Sequence, residues 1–284
     1  MFIFSSGKVS SAILLPILFI VSTMGIVQKT YAETPYTIGV VPQFEARKLR
    51  SIWNPIINEL EKETGLKFQI QGSSTIPAFE KEFNAGKFDI AYMNPYHIVL
   101  ANRNQGYLPI VRDVGRKLYG ILVVSSTGGI NKIEDLNKKL LAFPAPNALG
   151  ASLLIRAALR EKFKIDFEEV YVKSHSSTYL NVALGQAQAG GGVQKTLKQQ
   201  KLAVQKRLKV LYETEKVAPH PIAIHPRIPK EHVKKITSAL LKIGKSENGK
   251  KLLSKIPIKV IGKATIEDYL PLEKMGLDKY YINP

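Results

Sequence analysis

The chain has 284 residues, a formal net charge of +18 and a hydrophobic fraction of 45%. It contains no cysteine, which excludes disulfides, thiolate metal sites, cysteine nucleophiles and lipid attachment through cysteine. The length exceeds what one small core needs and favours two lobes.

Residues 1–32 are predicted to form a secretory signal peptide. Lys8 supplies a positive charge, residues 12–27 are mostly apolar, and Thr30-Tyr31-Ala32 is a suitable cleavage site. An uncleaved membrane anchor is the alternative, but the apolar run is short for a membrane span. We therefore expect export to a bacterial periplasm.

The positive charge is concentrated in residues 194–263, which contain eighteen Lys or Arg and four Glu. Most of these basic residues fall in helical patterns that keep the apolar positions separate, which predicts solvated helix faces. Attraction to an anionic membrane or partner, or steering of an anionic ligand, are the alternatives. No nucleic acid is expected as a partner, because no motif interleaves aromatic residues with this charge.

Strands and helices alternate along the chain, which predicts mainly parallel sheets flanked by helices. Predicted strands cover 36–41, 66–71, 88–92, 118–124, 140–143, 169–172 and 208–212. Predicted helices cover 45–63, 76–85, 133–136, 148–162, 180–187, 196–206, 230–244 and 247–253.

Four polar or turn-rich segments follow strand ends, at 42–45, 94–97, 147–156 and 174–179. The third is the most informative, because prolines force a turn after an apolar strand and Asn147 can cap the helix that follows. Free N–H groups and the helix dipole favour an anion there. Since ligands of open α/β sheets bind beyond the carboxyl ends of strands, the four segments predict one anion-binding cleft.

Several segments resemble the periplasmic substrate-binding proteins of phosphonate, phosphite and phosphate ABC importers, a branch of the two-lobed type II binding proteins. They are 86–95, the strand with Tyr119, 133–136, 143–152, 174–177 and 189–193. The resemblance covers nearly the whole mature chain. It implies an α/β fold of two lobes joined by hinge strands near 118–124 and 220–225. Lobe 1 would comprise 33–120 and 221–284, and lobe 2 would comprise 121–220.

The resemblance implies a monomeric periplasmic protein that captures phosphonate, phosphite or phosphate between its lobes for a membrane ABC permease. A sensor that reports its ligand to a membrane histidine kinase or similar receptor is the main alternative. An enzyme on the same fold is disfavoured, because no nucleophile, base or carboxylate pair has motif support. No cofactor is expected. A metal site at His220, His225 and His232 is disfavoured, because prolines interrupt the first two and no carboxylate is suitably spaced.

The chain departs from the family pattern in two places. Many members have Ser-Thr-Ser-Gly at the main anion loop, where this chain has Asn-Ala-Leu-Gly at 147–150. Fewer hydroxyl donors imply weaker phosphonate binding or a different ligand. Members commonly have an Asp where this chain has glycines at 190–192. An aminoalkyl tail would lose a partner, which favours a compact anion.

The predicted ligand-binding residues lie at these strand ends. They are Gln43, Tyr92, Asn94, Tyr119, Asn147, Ala148, Leu149, Gly150, Ser152, His175, Ser176, Ser177 and Gly191. Structural alternatives accompany several of them. Asn94 can cap a helix, Tyr119 can bury its ring, His175 can bond to backbone, and Ser176 and Ser177 can cap the helix that follows them.

Overall fold

The computed structural model describes residues 1–5, 7 and 34–283, and all of its secondary structure lies in the last range. The apolar run and cleavage site of the predicted signal peptide lie outside the described residues. Within the described ranges, none of the helices is long and apolar enough to cross a membrane.

The described residues form eleven strands. In chain order these are β1 Tyr36–Val40, β2 Phe68–Gln71, β3 Ile90–Tyr92, β4 Leu108–Asp113, β5 Ile121–Ser125, β6 Lys139–Phe143, β7 Phe167–Tyr171, β8 Ala189–Gly192, β9 Leu208–Glu213, β10 Ile222–Ile224 and β11 Ile261–Lys263.

Helices connect the strands and cover the sheets. The α-helices are α1 Ala46–Thr64, α2 Ile76–Asn84, α3 Pro95–Gln105, α4 Leu154–Ala157, α5 His175–Ala183, α6 Gln194–Lys198, α7 Leu202–Gln205, α8 Lys230–Ile243 and α9 Glu247–Lys255. Two π-helical stretches, Leu149–Leu153 and Ala158–Lys162, flank α4 and make 149–162 one continuous helical segment. Short 3-10 helices cover Ile133–Leu136, Ile266–Asp268, Leu270–Met275 and Leu277–Lys279.

The strands form two sheets, with the orders β11-β4-β10-β3-β1-β2 and β7-β6-β8-β5-β9. Strand β1 runs parallel to β2 and β3, and β6 runs parallel to β7 and β8. The other pairs, which involve β10, β11 or β5, are antiparallel. Each sheet is therefore mixed, which corrects the prediction of mainly parallel sheets. The chain enters β5 and β10 at the end of the sheet where the neighbouring strands β8 and β3 finish. Strands β5 and β10 therefore run in the opposite direction to those neighbours.

Two chain segments, 114–120 and 214–221, connect the sheets. They pair through two backbone hydrogen bonds of 2.8 Å between Leu118 and Val217. The Gly120 amide also donates to the Thr214 hydroxyl at 2.8 Å. The hinge ranges predicted near 118–124 and 220–225 overlap these segments at 118–120 and 220–221, and the rest of each range lies in or beside β5 or β10.

Local chemistry explains where the helices begin and where strands were missed. Helix α5 starts five residues before the predicted 180–187 helix, because the Ser174 hydroxyl accepts the Ser177 amide at 3.1 Å. Strand β4 contains Pro109, and β11 has only three residues with Gly262 at its centre. The proline interrupts the first and the glycine the second, so residue patterns predict neither strand.

The hydrophobic core of the first lobe extends beyond its own sheet. It contains Leu149, Leu153, Leu154 and Ala157 from the segment that follows β6 of the second sheet. The start of this segment is therefore held against the first lobe, close to the two connecting segments.

Candidate functional site

Three unpaired backbone amides stand at the start of the helical segment 149–162. The Ser152 and Leu153 amides both donate to the Ala148 carbonyl, at 2.7 and 3.2 Å. The amides of Leu149, Gly150 and Ala151 precede these bonds and find no acceptor within residues 34–283. Such amides at the positive end of a helix attract anions. The predicted anion loop therefore has the donors that its sequence suggested.

Ser152 lies within the same turn. Its side chain is fully buried, and its hydroxyl has no hydrogen-bond partner in the described part of the chain. A buried hydroxyl without a partner costs free energy, so its place beside the unpaired amides suggests a ligand contact.

Two glycines let the backbone of other elements approach this loop closely. A Cβ atom at Gly120 would overlap the Gly150 carbonyl, and one at Gly191 would overlap the Ala151 carbonyl. The connecting segment and β8 thus contact the anion loop from two sides. Gly191, predicted as a ligand contact, packs directly on that loop.

Asn94 and Asn147 connect the starts of two helices. The Asn94 side-chain oxygen accepts the amides of Tyr96 and His97, both at 2.8 Å, which caps α3. Its nitrogen donates to the Asn147 carbonyl at 3.2 Å. The N-terminus of α3 in the first lobe is therefore fixed against the anion loop of the second lobe.

The side chain of Asn147 is occupied by other protein groups. Its nitrogen donates to Glu80 Oε2 at 2.9 Å and to the Ile282 carbonyl at 2.7 Å. Its oxygen accepts the Ile282 amide at 2.9 Å. The second carboxylate oxygen of Glu80 contacts His97 Nε2 at 2.8 Å, and both of these side chains are fully buried. In this arrangement the Asn147 side chain supports the loop, and only its main chain remains for a ligand.

His175 starts α5 on the second lobe. Its Nδ1 lies 3.2 Å from the Thr196 hydroxyl, and its Nε2 makes no hydrogen bond within the described chain. Burial lowers the pKa of His175 to about 4, so the ring is neutral near pH 7. The hydroxyls of Ser174 and Ser177 are 2.8 Å apart, and Ser176 is exposed. Ser174, which was not among the predicted site residues, is the actual cap.

Gln43 and Tyr92 of the first lobe form one cluster with His220 of the connecting segment. Gln43 Nε2 donates to His220 Nε2 at 3.0 Å, and the Tyr92 and His220 rings stack with centroids 5.4 Å apart. Burial lowers the pKa of His220 to about 3, helped by the nearby His97, His175 and Arg116. The Tyr92 hydroxyl is buried and lacks a partner in the residues described, and burial raises its pKa. This cluster therefore contains neutral hydrogen-bonding groups and one buried hydroxyl without a partner.

Two cationic side chains, Arg116 and Lys195, act electrostatically near this cluster, and residue patterns do not single them out. Arg116, in the connecting segment, acts electrostatically on His220, Tyr92 and Lys195. Burial lowers the pKa of Lys195, and Arg116 lowers it further. Lys195 lies three residues after the end of β8, and this position after a strand end is the available signal for a site residue. The charge pattern of residues 194–263 instead predicts a solvated position for Lys195.

The side chain of Tyr119 lies apart from these groups. Its ring packs on the apolar cluster of the second lobe that contains Ile121 and Val123, and the Lys216 ammonium lies 5.4 Å from the ring centroid. The structure places Tyr119 next to the site through Gly120 but shows no contact of its hydroxyl with the other predicted residues.

The described residues contain no cluster of three or more His, Asp or Glu side chains able to hold a metal ion. The polar groups that converge are amides, hydroxyls, neutral imidazoles and two cations. This set of donors is suited to an oxyanion.

The family described as "ABC transporter, phosphonate, periplasmic substrate-binding protein" matches residues 38–269. The "Phosphate-import protein PhnD" of Mycolicibacterium smegmatis is 27% identical over 175 residues, which cover 58% of this chain and 52% of that protein. The chain therefore spans about half the length of this relative. The "Phosphonates-binding periplasmic protein" of Escherichia coli is 22% identical over 261 residues, covering 87% of this chain and 77% of that protein.

A solved structure of PhnD1 from Prochlorococcus marinus in complex with methylphosphonate has a TM-score of 0.77. It is 17% identical, and the match covers 87% of this chain and 98% of that one. The fold is thus the two-lobed fold of type II periplasmic binding proteins, as predicted. The chain belongs to the periplasmic substrate-binding proteins of phosphonate ABC transporters. Its relatives are transport components rather than enzymes, which confirms the prediction that the chain is not an enzyme.

Proposed function

We propose that the protein captures a small phosphorus oxyanion, such as a phosphonate, phosphite or phosphate, in the periplasm and delivers it to an ABC permease. The observation that carries this proposal is the set of three unpaired amides at Leu149, Gly150 and Ala151 beside the unpartnered Ser152 hydroxyl. Family membership supports the same ligand class.

Each donor has a defined role in this proposal. The loop amides and Ser152 hold oxygens of the anion from one side. When the Tyr179 hydroxyl donates to the Val193 carbonyl, the Thr196 hydroxyl can donate to His175 Nδ1, which leaves the proton on Nε2 free to be donated to the anion. Because His175 is neutral, its binding contribution is a hydrogen bond and not a charge.

Closure of the lobes strengthens these interactions. The connecting segments 114–120 and 214–221 pair at Leu118 and Val217 and form a narrow hinge. Closing about this hinge removes water from the donors, and a lower local dielectric strengthens their attraction for the anion. The closed form is then the state that docks on the permease, with residues 1–32 acting as the export signal and the mature protein acting as a monomer.

A thermal-shift screen with phosphite, methylphosphonate, phosphate, sulfate and acetate tests the ligand class. A ligand at 100 times its dissociation constant adds about 2.7 kcal/mol to the stability, which a melting curve resolves. We expect stabilisation by at least one phosphorus oxyanion. Stabilisation by acetate or sulfate alone would contradict the proposal.

Calorimetry on two histidine variants then tests the site. We expect His175→Ala to weaken binding of the active ligand at least about tenfold, equivalent to about 1.4 kcal/mol. His225→Ala is the matched control, because His225 packs on Tyr107 at the opposite end of β10. Equal affinities in the two variants would remove His175 from the site.

A further inference from the structure

The second lobe contains a stretch of uncompensated positive charge. Residues 173–212 contain seven Lys or Arg and no Asp or Glu. None of these seven side chains forms an ion pair within residues 34–283. Lysines of α8 and α9 on the first lobe differ, because several of them pair with glutamates. These pairs are Lys235–Glu231, Lys242–Glu63 and Lys250–Glu247.

Three exposed leucines lie among these cations. Leu180 and Leu184 are 45% and 53% exposed, and their spacing of four residues places them on the same side of α5. Leu202, at the start of α7, is 64% exposed. Val182 and Val204 instead pack in the core of the second lobe. The leucines are therefore on the outer sides of their helices.

Helices α5, α6 and α7 form one surface, because α6 and α7 both pack on α5. Gln205 Nε2 donates to the carbonyls of Lys198 and Gln200, at 3.2 and 2.8 Å, which holds the end of α7 against the end of α6. Lys206 lies four residues after Leu202 and so on the same side of α7. We define the α5–α7 face by its exposed leucines and exposed basic residues, which are Leu180, Leu184, Leu202, Lys198, Lys201, Lys206 and Arg207.

Carboxylates lie only at the margin of this face in the described part of the chain. Glu213 is at the end of β9, whereas Arg207 directly precedes the start of that strand. Asp135 Oδ2 accepts the Asn131 amide at 2.9 Å, and Asn131 Oδ1 accepts Lys209 Nζ at 2.7 Å. Lys209 is left out of the face because it has this partner. The basic side chains of the face itself have no acidic partner within residues 34–283.

The composition of the face favours an anionic bilayer as its partner. Three of its four cations are lysines, whose ammonium groups bind phosphate as point charges, whereas bidentate binding of a protein carboxylate favours arginine. At a lipid interface, exposed leucines enter the boundary of the acyl chains while the neighbouring lysines stay among the headgroups. The face has both components side by side.

We propose that the α5–α7 face binds the surface of an anionic phospholipid bilayer, with its cations at the lipid phosphates and its leucines inserted between the headgroups. This binding is separate from ligand capture and does not depend on which oxyanion the cleft holds. It concentrates the protein at the membrane that contains the ABC permease of its family.

Sedimentation with vesicles tests the inference. The protein is used from Glu33 onwards, which is one compact unit of the structure, because the apolar residues 12–27 would bind bilayers by themselves. The vesicles contain equal amounts of phosphatidylglycerol and phosphatidylcholine, or phosphatidylcholine alone. The test variant combines Lys201→Gln with Lys206→Gln. The control combines Lys245→Gln with Lys251→Gln, because both lysines are exposed on the first lobe and have no ion pair within the described chain.

We expect the wild type to bind the phosphatidylglycerol vesicles at least about tenfold more tightly than the others. Each basic residue beside an anionic leaflet contributes about fivefold, so the test variant should bind at least about tenfold more weakly, and the control should change less than about threefold. Equal losses in the two variants would overturn the inference, because net charge alone would then explain the binding. Failure of the wild type to bind phosphatidylglycerol vesicles would also overturn it and would leave the face to a protein partner.

A second pair of variants tests the leucines. Leu184→Gln combined with Leu202→Gln should weaken binding to the phosphatidylglycerol vesicles at least about threefold, because two side chains no longer enter the bilayer. Leu108→Gln combined with Leu270→Gln is the control at exposed positions of the first lobe, 51% and 39% exposed, and should bind like the wild type. Wild-type affinity in both leucine variants would overturn the inference.

Discussion

Replacing Asn147 with alanine tests whether this side chain supports the anion loop or contacts the ligand directly. The Asn147 amide group makes three hydrogen bonds, to Glu80 Oε2, to the Ile282 carbonyl and from the Ile282 amide. The side chain is almost fully buried. The substitution therefore leaves a buried carboxylate with one partner fewer and two backbone groups of the C-terminal segment unpaired.

The expected cost follows from these bonds. A hydrogen bond to a charged group contributes about 1.5–3 kcal/mol, and each neutral bond contributes about 0.5–1.5 kcal/mol. Water can reach Ile282, which is partly exposed, so part of the neutral contribution is recovered. We expect Asn147→Ala to lower the free energy of unfolding by about 3 kcal/mol.

Urea denaturation without ligand measures this loss. Asn104→Ala is the control, because Asn104 is exposed and bonds only to the Asn84 side chain, at 2.9 Å, so it should cost less than about 0.5 kcal/mol. Wild-type stability of Asn147→Ala together with lost ligand binding would refute the structural role and restore Asn147 as a direct ligand contact.

Two further predictions concern the loop and the pH dependence. Gly120→Ala should weaken phosphonate binding at least about tenfold in calorimetry, because the added methyl group displaces the Gly150 carbonyl, whereas Gly129→Ala, with open space around it, should bind like the wild type; equal binding would show that the loop tolerates displacement. The second concerns His220, whose pKa is about 3 in the folded protein against 6.5 as the reference value. Between pH 6.5 and 4.5 the unfolded chain takes up the proton first, so stability should fall with falling pH, by at most about 1.4 kcal/mol per unit from this residue. Urea titrations of His220→Gln should show a shallower fall over that range, and an unchanged slope would contradict the burial of a neutral ring.

Residue patterns predicted the fold well where local chemistry and tertiary packing agree. The predicted helix at 45–63 corresponds to α1, whose buried Trp53, Ile56, Ile57 and Leu60 have helical spacing. Asn94 and Pro95 begin α3 as their side chains favour. The direction of β10 and β5 could not be read locally, because it depends on the path of the chain between lobes.

Residue patterns predicted only the part of the site that depends on neighbouring residues. The amide loop at 149–151 depends on a local turn and capping pattern, which sequence displays. The pairing of Asn147 with Glu80 and Ile282 joins positions far apart in the chain, and no local signal reveals it. No local pattern sets the charges of Arg116 and Lys195 apart from those of solvated residues.

The most direct test of the central claim is a titration of the 15N-labelled protein followed by amide resonances. If the amides of Leu149, Gly150 and Ala151 hold the oxyanion, their protons should move downfield together as methylphosphonate saturates the protein. The amide of the exposed Gly129 should stay in place. Saturation of the protein by a phosphonate without any shift of the three loop amides would contradict the account.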